Sequence, residues 1–153
     1  KHVSGCENIR LHSVAHHIGV RESRRVVGID YIGMEAFEQA KKYPDGIAKV
    51  RYPIDIHNPG GSGTVIRTLA EDEWYEIPYG CIVARDVSNL LIGGRPISVD
   101  HALHSSMRVM PPACSVGQAA GTAAAMAVQT QTVPAKLDGT KVREKLREMG
   151  AVL

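Results

Sequence analysis

Asn89-Leu-Leu-Ile-Gly-Gly-Arg95, then Ser106-Met-Arg-Val-Met-Pro-Pro112 and Val116-Gly-Gln-Ala-Ala-Gly-Thr-Ala-Ala-Ala125, is the stretch that decides how this chain is read. Its first part is a short apolar run ending in two glycines and an arginine. Such a run reads as a buried parallel strand whose carboxyl end opens onto a ligand crevice. Two prolines suit a first helical turn, where their missing N–H groups would be unpaired anyway. The spacing therefore predicts a long Ala-rich helix over 113–130, with Ala113, Gly117, Ala120, Gly121 and Ala124 making a small-residue face. Small residues let a second backbone or a flat ligand approach closely. The N–H groups and partial positive charge at the helix start favour an electron-rich or anionic group.

Outward from this stretch the pattern mixes strands and helices. Residues 8–20 alternate in part, with Ile9, Leu11, Ser13 and Ala15 on one side, and predict a strand. The β-branched run 24–32 predicts a second. Residues 34–42 predict a short helix with Met34, Phe37 and Ala40 or the Lys41 stem facing inward, stopped at Tyr43-Pro-Asp-Gly46. A strand over 47–57 carries Pro53 at an edge or bulge, and 58–63 is a turn or open loop. Further strands are predicted at 64–69, 74–84 and 89–93. The last helix runs from Thr140 to Met149, with Thr140 as cap, a buried stripe of Val142, Leu146 and Met149, and Gly150 just past its end. The fold class is mixed, α+β or α/β.

Composition removes several classes of function. The chain has 153 residues, 44% hydrophobic and 22% charged, close to globular averages and far from disordered ones. A net charge of +2 without a basic run, and only 5% aromatic residues, argue against a nucleic-acid partner. Gly117 and Gly121 form a GxxxG pair, but Ser115, Gln118 and Thr122 interrupt the apolar stretch, so a membrane helix is rejected. Cys6, Cys81 and Cys114 lack metal spacing and are odd in number, which predicts reduced, partly buried thiols and a cytoplasmic setting. The N-terminus has no apolar signal core and no Met, so a processed or cut piece of a longer protein is expected.

The combination of Arg21-Glu-Ser-Arg-Arg-Val-Val-Gly28, Asn89-Leu-Leu-Ile-Gly-Gly-Arg95, Arg108-Val-Met-Pro111 and Gly117-Gln-Ala-Ala-Gly-Thr-Ala-Ala124 resembles the C-terminal part of the FAD-dependent oxidoreductase family, whose members often carry xanthan-lyase-like labels. The resemblance runs from about residue 15 to Leu153. It implies a two-domain flavoprotein of glutathione-reductase-like type. On that reading residues 1–84 are part of a substrate-binding domain, 85–132 the C-terminal part of the FAD domain, and 133–153 a closing helix and tail. The family's Gly-x-Gly-x-x-Gly fingerprint is missing; the nearest cluster, Gly60-Gly-Ser-Gly63, leads into a strand-like run. The implied partner is thus an absent N-terminal FAD-binding half. FAD should be absent from, or weakly held by, this piece, which should not turn over alone. Exposed edges of the 89–93 strand raise a homodimer as a further expectation.

The resemblance also suggests roles. Gly93, Gly94 and Arg95 would lie along the cofactor's ribityl chain, with Arg95 meeting a phosphate or carboxylate; the plain alternative is a strand-to-loop turn with a solvated Arg. Residues 112–118, notably Pro112, Gly117 and Gln118, would offer N–H groups to the flavin pyrimidine; the alternative is a core helix. Arg108 would hold a substrate anion or stabilise reduced flavin; the alternative is a salt bridge. Arg21 or Arg24 would line the active-site side; a dense charged run is otherwise a solvated face.

Asp55 and His57 share a strand face by spacing, which suits a carboxylate-oriented general base for a hydroxyl proton; a strand-end hydrogen-bonded histidine is the alternative. His101 and His104 are further proton-transfer candidates, three residues apart, with no third ligand at a recognised metal spacing. The leading expectation is hydride transfer from a small organic substrate to FAD. Two readings compete with it: a non-catalytic anion- or carbohydrate-binding module, and a metal-dependent lyase or hydrolase using His57, His101 and His104.

Overall fold

The computed structural model describes residues 3–57 and 63–153, with the His57 and Val65 side chains outside that description. The turn expected at 58–63 lies almost wholly outside the described residues. The remainder is an α+β arrangement of short antiparallel strands and four α-helices.

The first helix, α1 (Met34–Glu38), is short. Its start is held from two sides, because Glu35 Oε1 accepts the Gly33 N–H at 3.1 Å and Asp100 Oδ2 accepts the Met34 N–H at 2.7 Å. It ends before Ala40, which takes a left-handed φ of +46°. Phe37 is buried as expected, together with Ala36. β1 (Gly46–Val50) and β4 (Tyr75–Pro78) form one antiparallel pair, with a bulge between Gly46 and Ala48. β2 (Ile54–His57) and β3 (Thr64–Arg67) form another, pairing Asp55 with Ile66 and His57 with Thr64. The single strand expected over 47–57 is thus two strands in two sheets, split around Pro53. A proline lacks the N–H that a continuous ladder needs there.

After β4 the chain tightens into a 3-10 turn (Tyr79–Ile82) in place of the expected strand to 84. The run at 89–93 is corrected too. It makes one antiparallel bridge, Val83 to Leu91, supported by Ile92 N–H to Ile82 O at 2.8 Å and Ala84 N–H to Leu90 O at 3.2 Å. It is neither a regular strand nor parallel in its pairing, since its neighbour leaves the 3-10 turn at Ile82 and offers only Val83 and Ala84 as bridge residues.

The helix α2 (His101–Met107) went unread in the sequence. Asp100 caps it, accepting the Leu103 N–H at 2.6 Å, so one carboxylate fixes the starts of both α1 and α2. α3 (Met110–Gln129) begins three residues earlier than expected, with its prolines in the first turn. Pro112, Val116, Ala119, Thr122, Ala123 and Ala127 are its buried residues, and the helix packs on β1. α4 (Gly139–Glu148) follows, and its cap is Asp138, not Thr140; Asp138 Oδ1 accepts both the backbone N–H and the hydroxyl of Thr140. Val142 and Leu146 are buried as the stripe predicts, whereas Met149 is 56% exposed.

Arg143 of α4 reaches Glu76 of β4 with two N–H to oxygen contacts of 2.9 Å. Glu76 is 3% exposed and also accepts the Tyr43 N–H at 3.0 Å. Burial alone would raise its pKa, but the Arg143 and Tyr43 donors outweigh this and hold the carboxyl below its ordinary value. The core closes around Tyr75, Ile47, Ile77, Ile82, Ile97, Leu103, Met107 and Leu146.

Residues 8–20 form no strand. Ile9 is 73% exposed, Leu11 82% and Ile18 91%, because no neighbouring strand meets their backbone, and alternation without a partner ladder stabilises nothing. Residues 24–32 hold only isolated bridges, Gly28 to Ala84 and Ile32 to Val99. Cys81 is buried and Cys6 partly so, but Cys114 is exposed, against the expectation for all three.

Candidate functional site

The arm that precedes α1 is tied to the body beside the Gly93-Gly94-Arg95 turn. Arg95 Nη1 donates to the carbonyls of Val20 at 3.0 Å and Arg21 at 3.4 Å, and the Val26 N–H donates to Pro96 O at 2.8 Å. Gly94 supplies the turn, at a φ of +88° that residues with a Cβ rarely adopt. A Cβ at Gly93 would sit 3.6 Å from the Gly117 Cα and 3.9 Å from the Ala120 Cβ. The two small-residue motifs of the sequence therefore meet.

These contacts carry Glu22 onto the polar face of α2. His101, His104, Ser105 and Arg108 recur at helical spacing after the Asp100 cap, one stripe along one face. The Glu22 carboxylate meets His101 Nδ1 at 2.8 Å, His104 Nδ1 at 3.3 Å and Arg108 Nη1 at 3.4 Å, and it pairs with Arg25 on its own segment. Burial opposes its charge, yet the hydrogen bond from His101 and the charges of His104, His101 and Arg25 hold its pKa below the usual value.

His104 links the two halves of the site. It is 1% exposed, and its Nε2 lies 3.1 Å from Arg95 O. A carbonyl only accepts, so the neutral ring carries its proton on Nε2 and leaves the Nδ1 lone pair facing the Glu22 carboxylate. That buried nitrogen has no hydrogen-bond partner among the described residues. Its 3.3 Å approach to Glu22 Oε2 becomes an ion pair only when the ring is protonated. Burial pushes the His104 pKa down, the Glu22 charge opposes this, and Arg25 and Arg108 reinforce it.

Two small clefts flank this cluster and share Arg21. One, about 170 Å³, is lined by Arg21, Glu22, Arg24, Arg95 and His104 among others. The other, about 130 Å³, is lined by Arg21, Asp55, Ile56, His101, Ser105 and Arg108. Two of the expected catalytic residues, Asp55 and Arg108, therefore line one cleft, with Ser105 accepting the Asp55 N–H at 3.1 Å. His57 is in β2, but its side chain lies outside the described residues. Arg108 makes the salt bridge weighed as its alternative, and the Arg95 guanidinium holds the arm.

Glu22 and Ser105 hold central places that their local sequence does not single out. The spacing of 101, 104, 105 and 108 behind a capping Asp was the available signal for the α2 stripe. Glu22, buried within a run of arginines, gave none.

On α3, Gly117, Gln118 and Gly121 lie on the exposed side, and a Cβ at either glycine would meet nothing within 4 Å. Pro112 is buried. The expected row of N–H donors over 112–118 is not available. Pro112 has no N–H, Ala113 donates to Val109 O at 3.1 Å, and Gly117 and Gln118 sit inside the helix. Among the described residues no three His, Cys, Asp or Glu side chains form a metal-holding group, and no helix is long and apolar enough to cross a membrane.

A family profile described as FAD dependent oxidoreductase matches residues 1–146. The chain belongs to this family. No curated protein and no solved structure matches it. In this member of the FAD-dependent oxidoreductase family the glycine turn packs on the small-residue helix, and a charged cleft lies beside it. FAD binding is a property of full-length members. The residues here fit a flat group laid on the open side of α3, where Gly117 and Gly121 leave the surface clear.

Proposed function

We propose that this chain is the C-terminal part of a flavin-dependent oxidoreductase that takes a hydride from a small organic substrate to FAD. On this reading its N-terminal FAD-binding half is a separate part of the same protein. The observation that carries the proposal is the packing of Gly93 against Gly117, which brings two of the four stretches of the family resemblance together. Gly93, Gly94, Gly117 and the Gln118 side chain would hold the cofactor. Bound FAD would supply the hydride acceptor. The chain's own residues do the rest: Arg108 and Arg21 bind and orient substrate, and Asp55 or His104 accepts its proton. Arg95 holds the arm over the cleft.

The piece alone should be inactive, because the ADP-binding fingerprint is absent from its sequence. A homodimer covering the 89–93 edge remains part of the proposal; light scattering that shows only monomer removes it. The main test is visible absorption of purified longer protein beside this chain. A yellow longer protein and a colourless chain support the split site. Flavin in neither overturns it, and the anion-binding module, which the arginine-lined cleft favours, then leads.

A further inference from the structure

We propose that a further cleft, walled by Val26, Val27, Val99 and Tyr31, binds an aromatic monocarboxylate through Arg85 and the Ser98 hydroxyl. It goes beyond the oxidoreductase reading and does not rest on it, since binding needs no flavin. The cleft, about 290 Å³, is framed by three segments distant in sequence. The Val26 N–H donates to Pro96 O at 2.8 Å, the Ile29 N–H to Val83 O at 2.9 Å and the Arg85 N–H to Val27 O at 3.0 Å.

Charge gives the first argument. Arg25 and Arg85 line the cleft, and no Asp or Glu among the described residues lines it with them. Arg25 is taken by Glu22. Arg85 makes no ion pair among the described residues, not even with the adjacent Asp86. One free guanidinium presents two parallel donors, which match one carboxylate. A phosphate of nearly twice the charge calls for more counter-charge than one uncommitted arginine offers.

The walls give the second. Val27 is 58% exposed and Tyr31 63%, and both line the cleft. The valines suit an apolar body, and the open phenol ring suits a second ring set against it, offset or edge-on. Ser98 gives the third. It is 2% exposed, lines the cleft, and its hydroxyl makes no hydrogen bond among the described residues. Unlike His104 Nδ1, that oxygen is not sealed from solvent. A nearly buried hydroxyl without a partner is costly, and a carboxylate oxygen that accepts from it removes the cost. Size agrees, since a benzene ring fills a cavity of about 150 Å³ and leaves room here for the carboxylate.

The test is an NMR titration of the chain with benzoate, benzyl alcohol, acetate and inorganic phosphate at neutral pH. Benzoate should bind saturably, with a Kd of about 1 mM, and move the Tyr31 ring and Ser98 amide resonances together. The other three should each bind about tenfold more weakly or worse, as should benzoate to Arg85→Gln. The Arg85 side chain is exposed and its backbone bond to Val27 survives the change, so this variant should keep the wild-type circular dichroism spectrum. Ser98→Ala should lose about threefold in affinity with an unchanged thermal melt, because its hydroxyl has no partner in the protein to lose. The inference is overturned by no saturable benzoate binding, by acetate or phosphate matching benzoate, by Arg85→Gln binding as wild type, or by a lowered melt in Ser98→Ala. Light scattering that shows a dimer, with the Tyr31 resonances moving on dilution and not with benzoate, gives this face to a second copy and overturns it too.

Discussion

Glu76 and Glu22 are both carboxylates drawn out of water, and the difference between them separates what holds this molecule together from what it is equipped to do. Glu76 is matched by one arginine in a two-pronged pair, closed off by the Tyr43 N–H, and seated between α4 and the β1–β4 pair. Glu22 is shared among Arg25, His101, His104 and Arg108, none of them two-pronged, on an arm that carries little apolar burial. The first arrangement satisfies one acceptor with a fixed set of donors. Among the described residues, the second leaves a buried imidazole nitrogen unsatisfied and Arg21 and Arg24 without an acidic partner beside a cleft. Polar groups satisfied internally favour rigidity, and groups left short of partners favour binding.

The largest effect should come from breaking the first arrangement. Arg143→Met leaves the Glu76 charge buried and unpaired, and urea denaturation should show a loss of about 3–5 kcal/mol. If the loss is under about 1 kcal/mol, Glu76 has escaped to water and is not the lock described here. Glu22→Gln should cost less, about 1 kcal/mol, because its partners are shared and partly wet. Its clearer readout is limited proteolysis, with faster cleavage within residues 8–25 while the body stays intact. Global unfolding in this variant would make Glu22 as structural as Glu76.

The smallest effect concerns pH. The His104 pKa is lowered in the folded state, so the unfolded chain binds the proton more readily as pH falls through the ordinary histidine range. Stability from this group is complete above about pH 6.5 and declines below it. Glu22, lowered in its turn, loses its contribution only at still lower pH, as it protonates. Groups facing His104 include Glu22, Arg25, Arg108 and the Arg95 carbonyl, so the Glu22→Gln background should deepen the decline by removing the one opposing charge. Thermal melts from pH 8 to 5 check this. A decline unchanged by His104→Gln would assign it to another group.

Legibility followed the length scale of the physics. Helices α3 and α4 were readable because spacing, prolines and the glycine after the end all act within a few residues. β3 and the inward face of α1 were readable for the same reason. The strand at 8–20 was misread because alternation describes a face and says nothing of a partner. The parallel strand at 89–93 failed likewise, since its neighbour proved to be a brief antiparallel stretch around Val83. At the site, Asp55 and Arg108 were legible as chemically suitable side chains, and the glycines as places of close approach. Glu22 was not, because its role comes from an arm crossing to α2, 79 residues on at His101.

The sequence by itself determined the mixed class, the long small-residue helix with its proline start, the glycine turn and the family to which these belong, all of them properties of neighbouring residues. Tertiary structure alone decided that Gly93 lies against Gly117, that one aspartate caps two helices, and that Glu22, His104 and Arg108 converge beside a cleft lined by Arg21 and Arg24. Those are contacts between distant segments. Only burial, which removes water as the competing partner, gives them their energy and their chemistry.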